Sequence, residues 1–376
     1  MEEKIRLVVA EEYSNILGIV AYKDNEKVYE EYFRGATKDE SVHAFSMCKS
    51  LVSILIGIAI DKGYIESVHQ KVLDFFPDYK LKRNQEQLKN VTIEDFLTMR
   101  VPYKFKYEPY TKVWGKCLDW GKPILELVGG KEKIGEHFHY STVGIQILSN
   151  ILAKATGKNM KEFATEYLFK PLGIKEVPDA PIHDKESQDH FYKTRDIRGW
   201  AKDPSGNYTT GWGLSITTEE WAKIGLLVLN KGMYNNQRIV SEEYINEMVI
   251  EREKNYGYLW WIYPKNQVMK IIRKEYKTGK YDSYCANGVG GSLISVIPEK
   301  NIVICITSSL VFNPKIRSEL INNYLLPYIE TKETTTVSPG LISNISLASL
   351  GITICPFSPT LAIPTNLSFI YASFKV

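Results

Sequence analysis

Ser46-Met47-Cys48-Lys49, followed by the nearly unbroken apolar run from Ser50 to Ile60 and closed by Asp61-Lys62-Gly63, is the stretch that decides how this chain is read. The run reads as a helix with a glycine stop, apolar enough to be buried on most sides. A Ser-x-x-Lys spacing puts Ser46 and Lys49 on one helical face, one turn apart. Serine is a weak nucleophile and needs a base. Lysine serves as one if burial lowers its pKa, because desolvation disfavours the ammonium. The helix N-terminus adds free N–H groups and a positive dipole end, which favour an oxyanion at Ser46. This is the only Ser-x-x-Lys spacing in the chain. A plainer reading stands beside it, with Ser46 an N-cap and Lys49 a solvated side chain. Cys48 sits two residues from Ser46, points elsewhere, and has no histidine near it in sequence, so it reads as a packed small residue.

Outward from that helix the pattern changes. Ile16 to Tyr22 and Lys27 to Phe33 read as two strands around the polar turn Lys23-Asp24-Asn25-Glu26. Downstream lie amphipathic helices. One starts at Thr92, with Asp95 completing a capping box. Another runs from Ser141 to Thr156 and ends at Gly157, and a third runs from Thr218 to Leu229. Strands return at Tyr256 to Tyr263, Ser292 to Ile297 and Asn301 to Thr307, with Pro298-Glu299-Lys300 as a hairpin turn between the last two. Ile316 to Ile329 reads as a closing helix. The expectation is an α+β domain over residues 1–333. An antiparallel sheet is built from both chain ends, about 1–45 and 250–330, and a mainly helical region, about 46–249, is inserted. Residues 334–376 form an uncharged Pro-, Ser- and Thr-containing tail up to Phe374, read as either short extra strands or a poorly ordered segment.

Composition excludes several classes. The 376 residues carry 47 Lys plus Arg against 44 Asp plus Glu, a balance that gives no basis for nucleic-acid or anionic-membrane binding. Five scattered cysteines, none in a CxxC, argue against a disulfide framework and a zinc site and suggest a reducing compartment. There is no HExxH, and His137 and His139, two apart, are a weak metal signal. The longest apolar run is about half of what spans a bilayer, and the charged N-terminus does not read as a signal peptide. A cytoplasmic protein is expected.

Two further stretches carry chemistry. In Phe138-His139-Tyr140-Ser141-Thr142, directly before a helix, a tyrosine at a pocket edge can shuttle protons. Thr142 can join the same network, or Ser141 or Thr142 can simply cap the helix. In Asn287-Gly288-Val289-Gly290-Gly291, between two strands, glycines let backbone approach a ligand and expose N–H donors; a plain Gly-rich turn or bulge is the other reading. No Walker loop is present, and no helix follows the glycines, so nucleotide chemistry is not indicated.

In order and rough spacing, the three stretches resemble the three motifs of the serine β-lactamase and penicillin-binding-protein superfamily. The flanks extend the likeness: Lys49 to Ile65, Phe138 to Leu148, Ala155 to Gly157, Pro171 to Ile174, Gly211 to Thr218 and Gly290 to Glu299. From about Leu17 to Ile329 the chain resembles the class C β-lactamase-related family, closest to the branch containing 6-aminohexanoate-dimer hydrolase and related esterases. The resemblance implies an acyl-enzyme serine hydrolase with Ser46 as nucleophile, Lys49 as base and Tyr140 as proton relay. The backbone N–H groups of Ser46 and Gly291 would form the oxyanion hole, and Thr142 and Gly290 would hold substrate. Trp114, in the aromatic stretch Tyr103 to Trp120, would stand at the pocket mouth, as a lid over an apolar acyl group or as part of a self-packed loop. No metal or organic cofactor is implied, and the partner is a small-molecule amide or ester.

Three departures from the family pattern bear on substrate. The second motif ends in Thr142 where Asn is usual. Gly288 stands where the third motif begins with Lys or, in some esterases, His, so a substrate carboxylate would lack its cationic partner. Ser292 stands where Gln often follows. The missing cation at Gly288, together with an N-terminus that does not read as a signal peptide, favours a carboxylesterase or amidase over a β-lactamase or D-alanyl-D-alanine peptidase. A non-catalytic binding protein on the same fold is the rival from another class, and the intact Ser46, Lys49 and Tyr140 argue against it.

Overall fold

The two ends of the folded chain meet in the middle of one sheet. In a computed structural model describing residues 1–271 and 274–334, strand Ile16–Lys23 pairs antiparallel with Ile302–Ser308, from Ile16 opposite Ser308 to Lys23 opposite Ile302. The six-stranded order is Glu26–Tyr32, Ile16–Lys23, Ile302–Ser308, Leu293–Ile297, Ser283–Asn287 and Trp261–Tyr263. The first hairpin closes through Asp24 and Asn25, both with positive φ (50° and 67°), the backbone that matches strand twist in a two-residue turn.

Side chains alternate across this sheet and feed two cores. Ile19, Ala21, Ile302, Ile304 and Ile306 face one side, where they pack with Ile5 and Val9 of the N-terminal helix Glu2–Glu12 and Leu325 and Ile329 of the closing segment. Val20, Tyr22, Val303, Cys305, Ile294 and Val296 face the other. There the helix Thr218–Leu229 lies close, because Gly225 has no side chain: a Cβ at 225 would come within 2.7 Å of Val303 and Ile294. With both faces covered, every residue of Ile302–Ser308 is buried, which explains the unbroken apolar run from Ile302 to Ile306.

The helix Met47–Asp61 stands between this sheet and the helical region, and Met47 through Ala59 are all buried. It ends as expected, with Gly63 at φ +74°. Gly57 lets it approach the helix Glu242–Met248, since a Cβ there would lie 2.3 Å from the Tyr244 ring. Thr92 and Asp95 form the expected capping box.

The structure differs from the sequence expectation in specific places. The Tyr256–Tyr263 strand is reduced to Trp261–Tyr263. Leu259 takes φ +58° and its N–H bonds Leu97 O, and the Trp260 indole bonds Ser50 O, so the segment is tied to the helical region instead of the sheet. The regular helix after the second motif covers only Ile147–Thr156, preceded by a tight turn at Gly144–Gln146. The closing helix widens at Ile321–Leu325, just before Pro327, which has no N–H to give to a regular turn. The N-terminal helix, the strand Ser283–Asn287 and a small sheet of Ser41–His43, Leu214–Thr217 and Gly199–Trp200 were not expected. All but the first residue of the expected tail lies outside the described residues.

Gly57→Ala gains helix propensity worth about 1 kcal/mol but drives a methyl into the Tyr244 ring. Overpacking of that kind costs about 1–3 kcal/mol, so the clash wins. Urea unfolding should give a lower midpoint than wild type with an unchanged slope.

Candidate active site

The small sheet delivers Ser46. Strand Ser41–His43 pairs with Leu214–Thr217, and the chain then turns into the long helix through Phe45 at φ +49°. A bulky residue in the left-handed region costs about 1–3 kcal/mol and persists only where its surroundings hold it. The Phe45 ring is held edge-on against His43 at 4.1 Å and tilted against Tyr192 at 5.5 Å. Ser46 occupies the N-cap position, yet its side chain caps nothing. Its hydroxyl faces Lys49.

Lys49 is 1% exposed. Its Nζ lies 2.9 Å from Ser46 Oγ, 3.0 Å from Thr142 Oγ1 and 2.9 Å from Gly211 O. The plain reading of Lys49 as a solvated residue is excluded. Burial pulls its pKa down to about 7, opposed in part by the Glu108 carboxylate. The neutral amine has two N–H donors and one lone pair. With Gly211 O able only to accept, one N–H goes there, a second suits Thr142, and the lone pair is left for the Ser46 hydroxyl.

The second motif closes over this amine. Tyr140 sits with its ring 5.0 Å from Lys49 Nζ and its hydroxyl on the Ser46 side. Trp261 stacks on it at 5.8 Å and Tyr256 meets it edge-on at 6.1 Å. Loss of solvent pushes the phenol pKa up, so Tyr140 keeps its proton at neutral pH. Ser141 and Thr142 divide the work between them. Ser141 Oγ accepts the Gly144 N–H at 2.8 Å and serves as the cap, and Thr142 is left to Lys49. His139 packs edge-on against Tyr103 and Phe105, each at 5.3 Å.

The third motif lies across from Ser46. Gly288 packs so tightly on strand Ser41–His43's continuation that a Cβ would sit 2.1 Å from Ala44 O. No side chain, cationic or otherwise, fits there without a backbone shift. Gly290 and Gly291 have φ +86° and +85°. The Gly291 N–H closes the turn onto Gly288 O at 3.1 Å, whereas among the described residues the Ser46 N–H has no acceptor. Trp114 belongs to a continuous aromatic wall: Tyr110 at 4.6 Å, Trp212 at 5.3 Å, then Tyr192 against Trp212 at 5.5 Å, and so back to Phe45. Cys48 is buried against Thr209 O, and burial pushes its thiol up to about 12, as a packed residue requires.

Sequence reasoning missed three contributors. Gly211 supplies a carbonyl to Lys49 and must lack a side chain, since a Cβ would lie 2.6 Å from Thr142; its signal was the Gly-Trp-Gly run at 211–213. Glu108 accepts the Val143 N–H at 2.9 Å and, among the described residues, has no partner for its buried Oε1. It was a single acid amid aromatics, with nothing local to mark it. Arg317, behind the glycines, is the third.

With this geometry in view, the comparisons are consistent. The beta-lactamase family profile matches residues 9–326. The chain belongs to the beta-lactamase family. That places it among the serine hydrolases built on this fold. An uncharacterized protein of Alkalihalophilus pseudofirmus is 24% identical over 301 residues, 74% of this chain and 80% of that protein. A proposed 6-aminohexanoate-dimer hydrolase from Bacillus anthracis has a similar structure, with TM-score 0.60, 16% identity and coverage of 86% of this chain and 81% of that one. EstCE1, a hydrolase with promiscuous acyltransferase activity, gives TM-score 0.62 at 12% identity, covering 88% and 97%. Identities this low speak for the shared fold. Among the described residues, no helix is long and apolar enough to cross a membrane.

A lysine whose folded pKa is lowered from near 10.5 to about 7 has a definite effect on stability. Below the folded value both states are protonated and the fold carries the full cost of a buried ammonium. Between the two values the unfolded chain holds a proton the folded chain has released, so stability rises with pH. Lys49→Met removes this dependence. Its stability advantage over wild type should shrink by about 1.4 kcal/mol per pH unit inside that window. Urea unfolding of both proteins at several pH values checks it, and a constant gap would show that Lys49 is not so shifted.

Proposed function

We propose that this member of the beta-lactamase family hydrolyses small carboxylic esters and amides through an acyl-enzyme on Ser46. The observation that carries the reading is the buried amine of Lys49, 2.9 Å from Ser46 Oγ, with the protonated phenol of Tyr140 on the Ser46 side of it. Their pKa values are pushed in opposite directions, which separates base from acid. As Ser46 Oγ attacks the substrate carbonyl carbon, its proton passes to the Lys49 lone pair. The oxyanion forms against the Ser46 N–H and the Gly291 N–H, which exchanges its turn bond to Gly288 for one to substrate. Tyr140 gives its proton to the leaving oxygen or nitrogen and is reprotonated from Lys49. Water then attacks the acyl carbon, its proton passes to Lys49, and as the C–O bond to Ser46 breaks Lys49 returns that proton to Ser46 Oγ, releasing the carboxylic acid and the free hydroxyl.

Thr142 acts chiefly on Lys49 in this reading, and Gly290 and Gly291 border the acyl group. Gly288, closed to any side chain, argues against substrates that need a cation for their carboxylate, and so against β-lactams and peptidyl D-alanine. Uncharged acyl groups against the Trp114 wall are favoured. A cytoplasmic setting accords with Cys48, Cys117, Cys285 and Cys305, all free thiols.

Intact-mass spectrometry after incubation with a fluorophosphonate should show one adduct in wild type and none in Ser46→Ala. A well-folded wild type without adduct would sink this reading in favour of a binding protein. The labelling rate should climb as pH rises through about 7 and level off above it, since the acylating form needs neutral Lys49. Trp114→Ala should raise the Michaelis constant for bulky esters several-fold and leave that for acetates near wild type. Equal constants across an ester series would remove Trp114 from the acyl site.

A further inference from the structure

Arg317 begins the closing helix and is 3% exposed. Among the described residues no carboxylate pairs with it. Glu12 and Glu319 bond Lys315 instead, and the guanidinium has only the face of Tyr13, 5.4 Å away, as an aromatic neighbour. A buried cation without a counter-charge is costly and calls for a reason. Its bonds go to neutral oxygens: Nη1 to Lys315 O at 2.8 Å, and Nη2 to Asn15 Oδ1 at 2.7 Å, Gly290 O at 3.1 Å and Ser308 Oγ at 3.2 Å. Asn15 Nδ2 donates to the same Gly290 O at 2.7 Å. The guanidinium also lies flat on Gly291, where a Cβ would meet it at 2.9 Å.

Gly290 O therefore takes two donors from one side. In a trans peptide the C=O and the following N–H point in opposite directions. Holding Gly290 O against Arg317 and Asn15 turns the Gly291 N–H the other way. There it reaches Gly288, which packs on Ala44, two residues before Ser46. A cation bonded to the carbonyl also draws electron density from the amide and makes its N–H a stronger donor, as hydrogen-bonded groups polarise one another in series.

We propose that Arg317, backed by Asn15, is a positioning residue of the oxyanion site: it aims the Gly291 N–H at the Ser46 side and strengthens it toward the tetrahedral intermediate. The front of the third motif has no cation at Gly288, and this one acts from behind through a single peptide group. The inference rests on the acyl-enzyme reading above.

The test compares full-length wild type, Arg317→Gln and Arg317→Lys on p-nitrophenyl butyrate, with fluorophosphonate labelling rates and thermal midpoints measured alongside. Glutamine can keep a bond to Gly290 O and loses the charge, whereas lysine keeps the charge. A group that acts only on the transition state changes kcat and leaves KM alone. For Arg317→Gln, kcat and the labelling rate should fall together by about 10- to 100-fold, with KM near wild type and partial recovery in Arg317→Lys. A folded Arg317→Gln with wild-type kcat would overturn the proposal. So would a raised KM at unchanged kcat, which would make Arg317 a ground-state binding group. If Arg317→Gln does not fold, Asn15→Ala carries the test: a several-fold loss in kcat at constant KM supports the proposal, and wild-type kcat overturns it. A wild type inert to both reagents is seen before any variant is compared, and it removes the acyl-enzyme reading together with this inference.

Discussion

A primary amine sealed from solvent, with three oxygens within 3.0 Å, is the constraint around which this molecule is arranged. Lys49 reaches Ser46 at the start of its own helix, Thr142 on the second motif and Gly211 on the connection between two strands of the small sheet. Each partner comes from a different part of the chain, so the amine's surroundings exist only when the helical region and the sheet are assembled. The apolar helix Met47–Asp61 makes the burial possible, because it offers no polar face through which solvent can reach Nζ. Burial alone would leave an unsatisfied donor at a cost of about 1–3 kcal/mol, and the three oxygens offset that.

Close approach is the second theme, and it is enforced by missing side chains. Gly211 lets Thr142 reach the amine, Gly288 lets the third motif rest on Ala44, and Gly291 lets a guanidinium lie on the Gly290–Gly291 peptide. Two of these contacts are also statements about chemistry. At Gly288 the fit against Ala44 leaves no room for a side chain, cationic or otherwise. At Gly291 the fit brings a cation to the reverse face of the peptide.

The strain at Phe45 belongs to the same arrangement. A left-handed aromatic residue just before the helix turns the chain sharply, so Ser46 enters the helix with its hydroxyl toward Lys49 and its N–H unspent. The rings of His43 and Tyr192 that hold Phe45 continue through Trp212 to Trp114 and Tyr110, on the Thr142 side of Lys49. One aromatic wall therefore supports the turn into Ser46 at one end and reaches the side of Thr142, the partner of Lys49, at the other.

By itself the sequence determined what depends on local pattern: the hairpin at Asp24-Asn25, the buried helix with its stop at Gly63, the capping box at Thr92, the helix Thr218–Leu229, and a sheet shared by the chain's two ends. Periodicity and turn chemistry act over a few residues, so they can be read there. It also marked Ser46, Lys49, Tyr140, Thr142 and the glycines as one candidate set, because their spacing and flanks resemble a known family. Only the tertiary structure decided that Lys49 is buried and bonded instead of solvated, that Ser141 caps while Thr142 does not, and that Glu108, Gly211 and Arg317 border the site. A lysine's pKa, a carbonyl's partner and a guanidinium's missing counter-charge depend on which atoms lie within a few ångströms. Those atoms come from residues as far apart as Asn15 and Arg317, and no local pattern along the chain encodes that they meet.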